Sequence, residues 1–79
     1  MNAEFEKQVG QRIRVIREEH GLTQEQLSAQ LQTRGCDITR SALAKMEVGQ
    51  RHIYPDELAL LKTLLRVSYD ELLEGTKPE

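Results

Sequence analysis

Arg40, Ser41, Ala44 and Lys45 are the residues of this sequence whose types and spacing bear most directly on chemistry. At positions i, i+1, i+4 and i+5 they fall on one side of a helix, with Val48 a turn further on. That side carries cations and a hydroxyl among small side chains and no acid, so a helix can approach a polyanion closely along it. Arg can bond guanine bidentately, Lys can bond guanine or phosphate, Ser can bond bases or phosphate, and Ala can lie against a thymine methyl. For an isolated helix, a merely solvated face is the plain alternative.

The other reactive side chains do not assemble into a catalytic set. Ser, His and Asp residues occur, but nothing arranges them as a triad, and no glycine-rich phosphate loop is present. His20 precedes Gly21, where an imidazole suits the negative end of a helix dipole. His52 lies beside Arg51 and reads as a plain loop residue or a phosphate contact. Cys36 is the single cysteine, so an intrachain disulfide is excluded. With no second Cys, and no His at ligand spacing, it does not point to a metal. A redox-sensing role is the remaining reading for Cys36, on the expectation that its loop is exposed near the basic segment. The sequence is therefore not expected to encode an enzyme, a metal site or a cofactor site, and no small-molecule ligand is evident.

The 79 residues suit one small domain spanning 1–79, with a core from about 5 to 75, and are too few for a deep enzymatic cleft. Hydrophobic residues make up 38% and charged residues 30%, a balance that favours folding over disorder. The net charge of −2 argues against binding nucleic acid through bulk positive charge. Its distribution is uneven: residues 34–51 carry four basic and two acidic side chains, whereas residues 52–79 carry three and six. Only the middle is electropositive. The start of the chain lacks the apolar core of a signal peptide, and no apolar run approaches the ~20 residues of a membrane span. A soluble cytoplasmic protein without membrane contact is expected.

Helical signals position the cationic segment. Phe5, Val9, Ile13 and Ile16 recur at helical spacing up to Gly21. Thr23 and Gln26 form a capping box, with Leu22 placed to staple against Leu27, and Gly35 stops the second helix. Thr39 caps a third helix running to about Val48, with Ile38 stapled to Leu43. Pro55, Asp56 and Glu57 open a fourth helix whose core face is Leu58, Leu61, Leu64 and Leu65. Val67 and Leu72 offer another staple, and Ser68 with Glu71 another box, before a short helix ends near Gly75 and a frayed tail follows. No run alternates with the period of a strand. The expected fold is all-α, a compact bundle of short helices, five in number.

In their order and spacing, Ile13 to Leu27, Ser41 to Arg51 and Val67 to Leu73 together resemble the Cro/repressor (xenobiotic response element, XRE) family of helix-turn-helix DNA-binding domains. The resemblance covers Ile13 to Leu73 and implies that helices two and three form the helix-turn-helix, with helix three reading the major groove. It places Arg40, Ser41, Ala44 and Lys45 toward base edges. It also implies DNA backbone contacts from Gln24, Thr39, Gln50 and Arg51, and a structural ion pair between Arg17 and Glu47. Two departures stand out. The connection Gln32 to Asp37 is longer than the family's, and Ser28 replaces the usual Ala after Leu27, so its hydroxyl must bond a backbone carbonyl or face water.

The leading reading is a transcriptional repressor that occupies an operator in double-stranded DNA as a homodimer. Ile53, Tyr54, Leu72 and Leu73 are candidate interface or core residues. The alternative is an antitoxin-like module that binds a partner protein, for which the acidic Asp70, Glu71, Glu74 and Glu79 would suit a basic surface.

Overall fold

Asn2, Thr23, Thr39 and Ser68 each bond the backbone of the helix they precede, so four of the five helices begin on a side-chain cap. A computed structural model of the chain describes residues 2–76; the end of the tail, including Glu79, lies outside the described residues. The elements are α1 (Ala3–Glu19), α2 (Gln24–Thr33), α3 (Arg40–Glu47), α4 (Pro55–Leu65) and α5 (Tyr69–Glu74). The described residues contain no strand. The Thr23–Gln26 box is closed from both sides, at 3.0 and 2.9 Å. In the Ser68–Glu71 pair only the hydroxyl half forms, accepting from Glu71 N–H at 3.1 Å. Residues that the sequence leaves unremarked also contribute: Asn2 Oδ1 caps α1, and the Glu57 carboxylate reaches back to Tyr54 N–H at 3.0 Å.

One apolar cluster holds the helices together. Val9, Ile13, Leu27, Leu31, Ile38, Leu43, Met46, Leu61, Leu65 and Leu72 are completely buried within it. Accordingly α1 lies against α3, α4 and α5, while α2 packs against α3 and α4. The inward stripe of α1 differs at its start from the expected one. Phe5 remains 38% exposed, and Glu6 turns inward instead, because its carboxylate has partners in the loop before α4. Leu64 is only half-buried. The end of α4 needs a left-handed residue although no glycine is available, and Arg66 adopts it at φ 57°.

Gly10 explains how α1 comes so close to α3. A Cβ there would collide with the Met46 carbonyl oxygen and lie 3.1 Å from Met46 C and 3.3 Å from Glu47 Cα. Only glycine lets the two backbones meet at this point. The contact sits where α3 ends, so α1 serves as the floor beneath that helix.

Candidate nucleic-acid interface

The site is built on α3. Leu43, Met46 and Glu47 face inward, while Arg40, Ser41 and Lys45 are exposed and Ala44 is half-buried. The helix starts on Thr39, whose Oγ1 accepts from Ala42 N–H at 3.1 Å. Gln24, Thr39, Arg40, Ser41 and Ala44 line one shared hollow of about 440 Å³ where the first turn of α2 meets α3. Arg40 also borders a neighbouring hollow of about 710 Å³ with Arg14, Arg17, Thr23 and Gln24. The positive end of the α2 dipole opens there, beside arginines from two other helices. Gln50 and Arg51 stand apart, in a hollow of about 490 Å³ shared with Glu6, His52 and Tyr54. Lys45 is exposed on α3 and belongs to none of these three linings.

Under this surface lies a buried ion pair. Arg17 Nε donates to Glu47 Oε2 at 2.8 Å and Nη2 donates to Oε1 at 3.0 Å, with side-chain exposures of only 8% and 1%. The bond to Glu47 holds the Arg17 guanidinium above its ordinary pKa, against the opposing effect of burial. Arg17 Nη1 also donates to the Leu22 carbonyl at 2.7 Å, which ties down the turn before α2. Gln24 Nε2 donates to Glu47 Oε1 at 3.0 Å, so one carboxylate joins α1, α2 and α3. Part of the Gln24 amide is therefore engaged within the protein.

Arg51 is likewise engaged. Its Nη1 and Nη2 form a two-pronged bond to the Glu57 carboxylate at 2.9 and 3.0 Å, and Nη1 also reaches the His52 carbonyl. Burial pushes the Glu57 carboxyl up, but the Arg51 bond and the Tyr54 N–H outweigh it and leave the pKa lowered. On the other side of the loop, Glu6 accepts from Ile53 N–H and bonds His52 Nδ1, both at 2.8 Å. The backbone bond, followed by the His52 bond, holds Glu6 below the usual carboxylate range. His52 is thus a loop anchor, with its side chain still 77% exposed.

Cys36 requires a correction. Its thiol is half-buried against the core rather than displayed in an exposed loop, and burial foremost raises its pKa. A raised pKa lowers the thiolate fraction and with it the reactivity a redox sensor needs. The interface candidates Ile53 and Leu72 are core residues, 4% and 0% exposed. Sequence reasoning also missed three supports. The helical periodicity marks Phe5 and Val9 and passes over Glu6. Arg12 donates to the Leu72 and Leu73 carbonyls at 3.2 and 2.6 Å, capping α5 from α1. Gly10 was detectable as a candidate, since a glycine inside a helical pattern costs about 1 kcal/mol relative to alanine and so asks for a packing reason.

A short outward-facing cationic helix, seated across a capped partner helix and braced from below, defines a helix-turn-helix domain. The family model of the Cro/repressor-type helix-turn-helix, the XRE family, matches residues 13–72, and the chain belongs to that family. It is a family of DNA-binding transcription regulators, typically non-enzymatic. Comparison with curated proteins and with solved structures finds no significant match. Among the described residues no helix is long and apolar enough to cross a membrane.

Proposed function

We propose that residues 1–79 act as one DNA-reading domain, a cytoplasmic repressor that occupies its operator as a homodimer with α3 in the major groove. The observation that carries this reading is the shared hollow of Gln24, Thr39, Arg40, Ser41 and Ala44. There the first turn of one helix and the outward face of the next can engage phosphate and base edges together. Arg40, Ser41, Ala44 and Lys45 are the base readers. Gln24, Thr39, Gln50 and Arg51 hold the backbone; Arg51 does so with the N–H groups that Glu57 leaves over. Dimerisation would set two such helices about 34–36 Å apart on one face of the duplex. Tyr54, 56% exposed, and half-buried Leu73 remain the candidate interface residues.

Selection of bound sequences from random duplexes tests the reading, and an enriched inverted repeat is the expected result. On that repeat, Arg40→Ala or Lys45→Ala should cost roughly 1–3 kcal/mol and relax preference at one or two base pairs. Arg51→Ala should weaken all duplexes alike and lower the salt slope by less than about one unit, because Glu57 already neutralises part of its charge. If the Arg40 and Lys45 variants lost affinity uniformly while keeping the wild-type preference, α3 would not be the reading helix. If no duplex were enriched, the partner-binding reading would replace this one.

A further inference from the structure

We propose that Ser28 is a positioning residue for DNA reading: through the carbonyl of Ile38 it fixes the angle at which the start of α3 meets α2. The inference rests on the reading of α3 as the recognition helix. Residues 34–39 connect the two helices. The connection is tied at both ends. Gly35, at φ +82°, turns the chain out of α2, and Cys36 N–H then bonds the Leu31 carbonyl at 2.9 Å. Ile38 N–H closes a tight turn onto the Cys36 carbonyl at 2.8 Å, and the Ile38 side chain is fully buried.

The Ile38 carbonyl lies one residue before the helix ladder, whose first bond runs from Leu43 N–H to Thr39 O. It therefore needs a partner from elsewhere. Ser28 Oγ, in a side chain from the middle of α2 that is 4% exposed, donates to it at 2.8 Å, and Gln32 Nε2 donates at 3.3 Å. A helical serine commonly bonds the carbonyl of its own preceding turn. Here the hydroxyl instead crosses to the neighbouring element.

The placement couples two parts of the proposed interface. Ser28 sits one turn after Gln24 on α2, and Ile38 lies two residues before Arg40. The Ser28 bond thus sets the separation between a phosphate holder and the first base reader. The far end of α3 is pinned by Arg17 through Glu47. About that pinned end, a pivot of about 10° would carry Arg40 about 2 Å, because eight helical residues make an arm of roughly 12 Å. Such a shift is enough to break the register of base-edge hydrogen bonds.

Ser28→Ala in the full chain tests the proposal, with two measurements made where circular dichroism shows the variant folded. In amide exchange of the DNA-free protein, the Leu43 amide should exchange several-fold faster relative to α1. Affinity for the selected operator should fall about two- to thirty-fold, while affinity for random duplex holds. Gln32→Ala, which removes the longer bond from an exposed side chain, should shift both readouts in the same direction by less, and it serves if Ser28→Ala does not fold. Unchanged operator preference, or equal losses on operator and random duplex, would overturn the proposal and leave Ser28 a packing residue. If the wild-type protein enriched no duplex, the recognition-helix reading would fail on its own. The exchange measurement would then decide whether Ser28 holds α3, with an unchanged Leu43 rate overturning it.

Discussion

Breaking the Arg17–Glu47 pair should affect stability far more than an ordinary surface ion pair would. With side-chain exposures of 8% and 1%, neither partner can regain water without opening the contact between α1 and α3. Glu47→Gln keeps the shape but removes the charge, and it points an amide donor toward Arg17 and Gln24, which are themselves donors. Arg17→Met leaves the carboxylate with Gln24 alone and takes the donor from the Leu22 carbonyl. Removing one member of such a pair costs ~3–5 kcal/mol, against under ~1 for an exposed pair. A domain of this length has ~4–12 kcal/mol in total, so either single variant should lose a large part of its stability. The melting temperature should fall by about 12 °C or more. The double variant has no unpaired buried charge and should be more stable than the summed single losses imply, by ~2 kcal/mol or more. Urea denaturation of all four proteins measures this coupling. Losses that add to within ~0.5 kcal/mol would refute the argument that the pair acts as a unit.

Gly10→Ala should destabilise by ~1–3 kcal/mol through collision with the Met46 carbonyl, the reverse of the ~1 kcal/mol gain that alanine brings to an open helix; a higher melting temperature would contradict the close approach. Glu6 has a lowered pKa in the folded state, so its contribution is present above the unfolded carboxylate range and is lost as pH falls through the folded pKa. Stability measured from neutral pH downward should therefore decline less steeply in Glu6→Gln, and an unchanged slope would show that Glu6 does not anchor the loop. Cys36 should react with a thiol-alkylating reagent more slowly in the folded protein than in denaturant, and equal rates would contradict its burial.

Helix boundaries were the most legible part of the fold, because they depend on local chemistry. The Thr23 box, the Thr39 cap and Pro55 at the first position of α4 act within a few residues of themselves, and the structure has each of them. Long-range bonds left no such trace. Glu6 is separated from its partners His52 and Ile53 by 46 and 47 positions, and Arg12 from Leu72 by 60. Periodicity alone favoured Phe5 over Glu6 for the buried stripe, since it ranks side chains by polarity and cannot see a waiting N–H group. The outward face of α3 was legible because a helix fixes which side chains share a side. The engagement of Arg51 with Glu57 was not, as it depends on how the loop folds back over α4.

Among the described residues, Arg40, Ser41 and Lys45 make no side-chain hydrogen bond within the protein, although the helix that carries them is held by Glu47 at one end and by the Ile38 carbonyl at the other. What supports α3 and what it presents are therefore different sets of atoms. Lineages could exchange the exposed side chains at 40, 41 and 45 while the bracing beneath stays constant, with half-buried Ala44 more constrained in size. The same separation suits the domain as a chassis for library design: the exposed positions 40, 41 and 45 can be varied together without touching the bracing, while half-buried position 44 is kept small and proline is kept out of the helix.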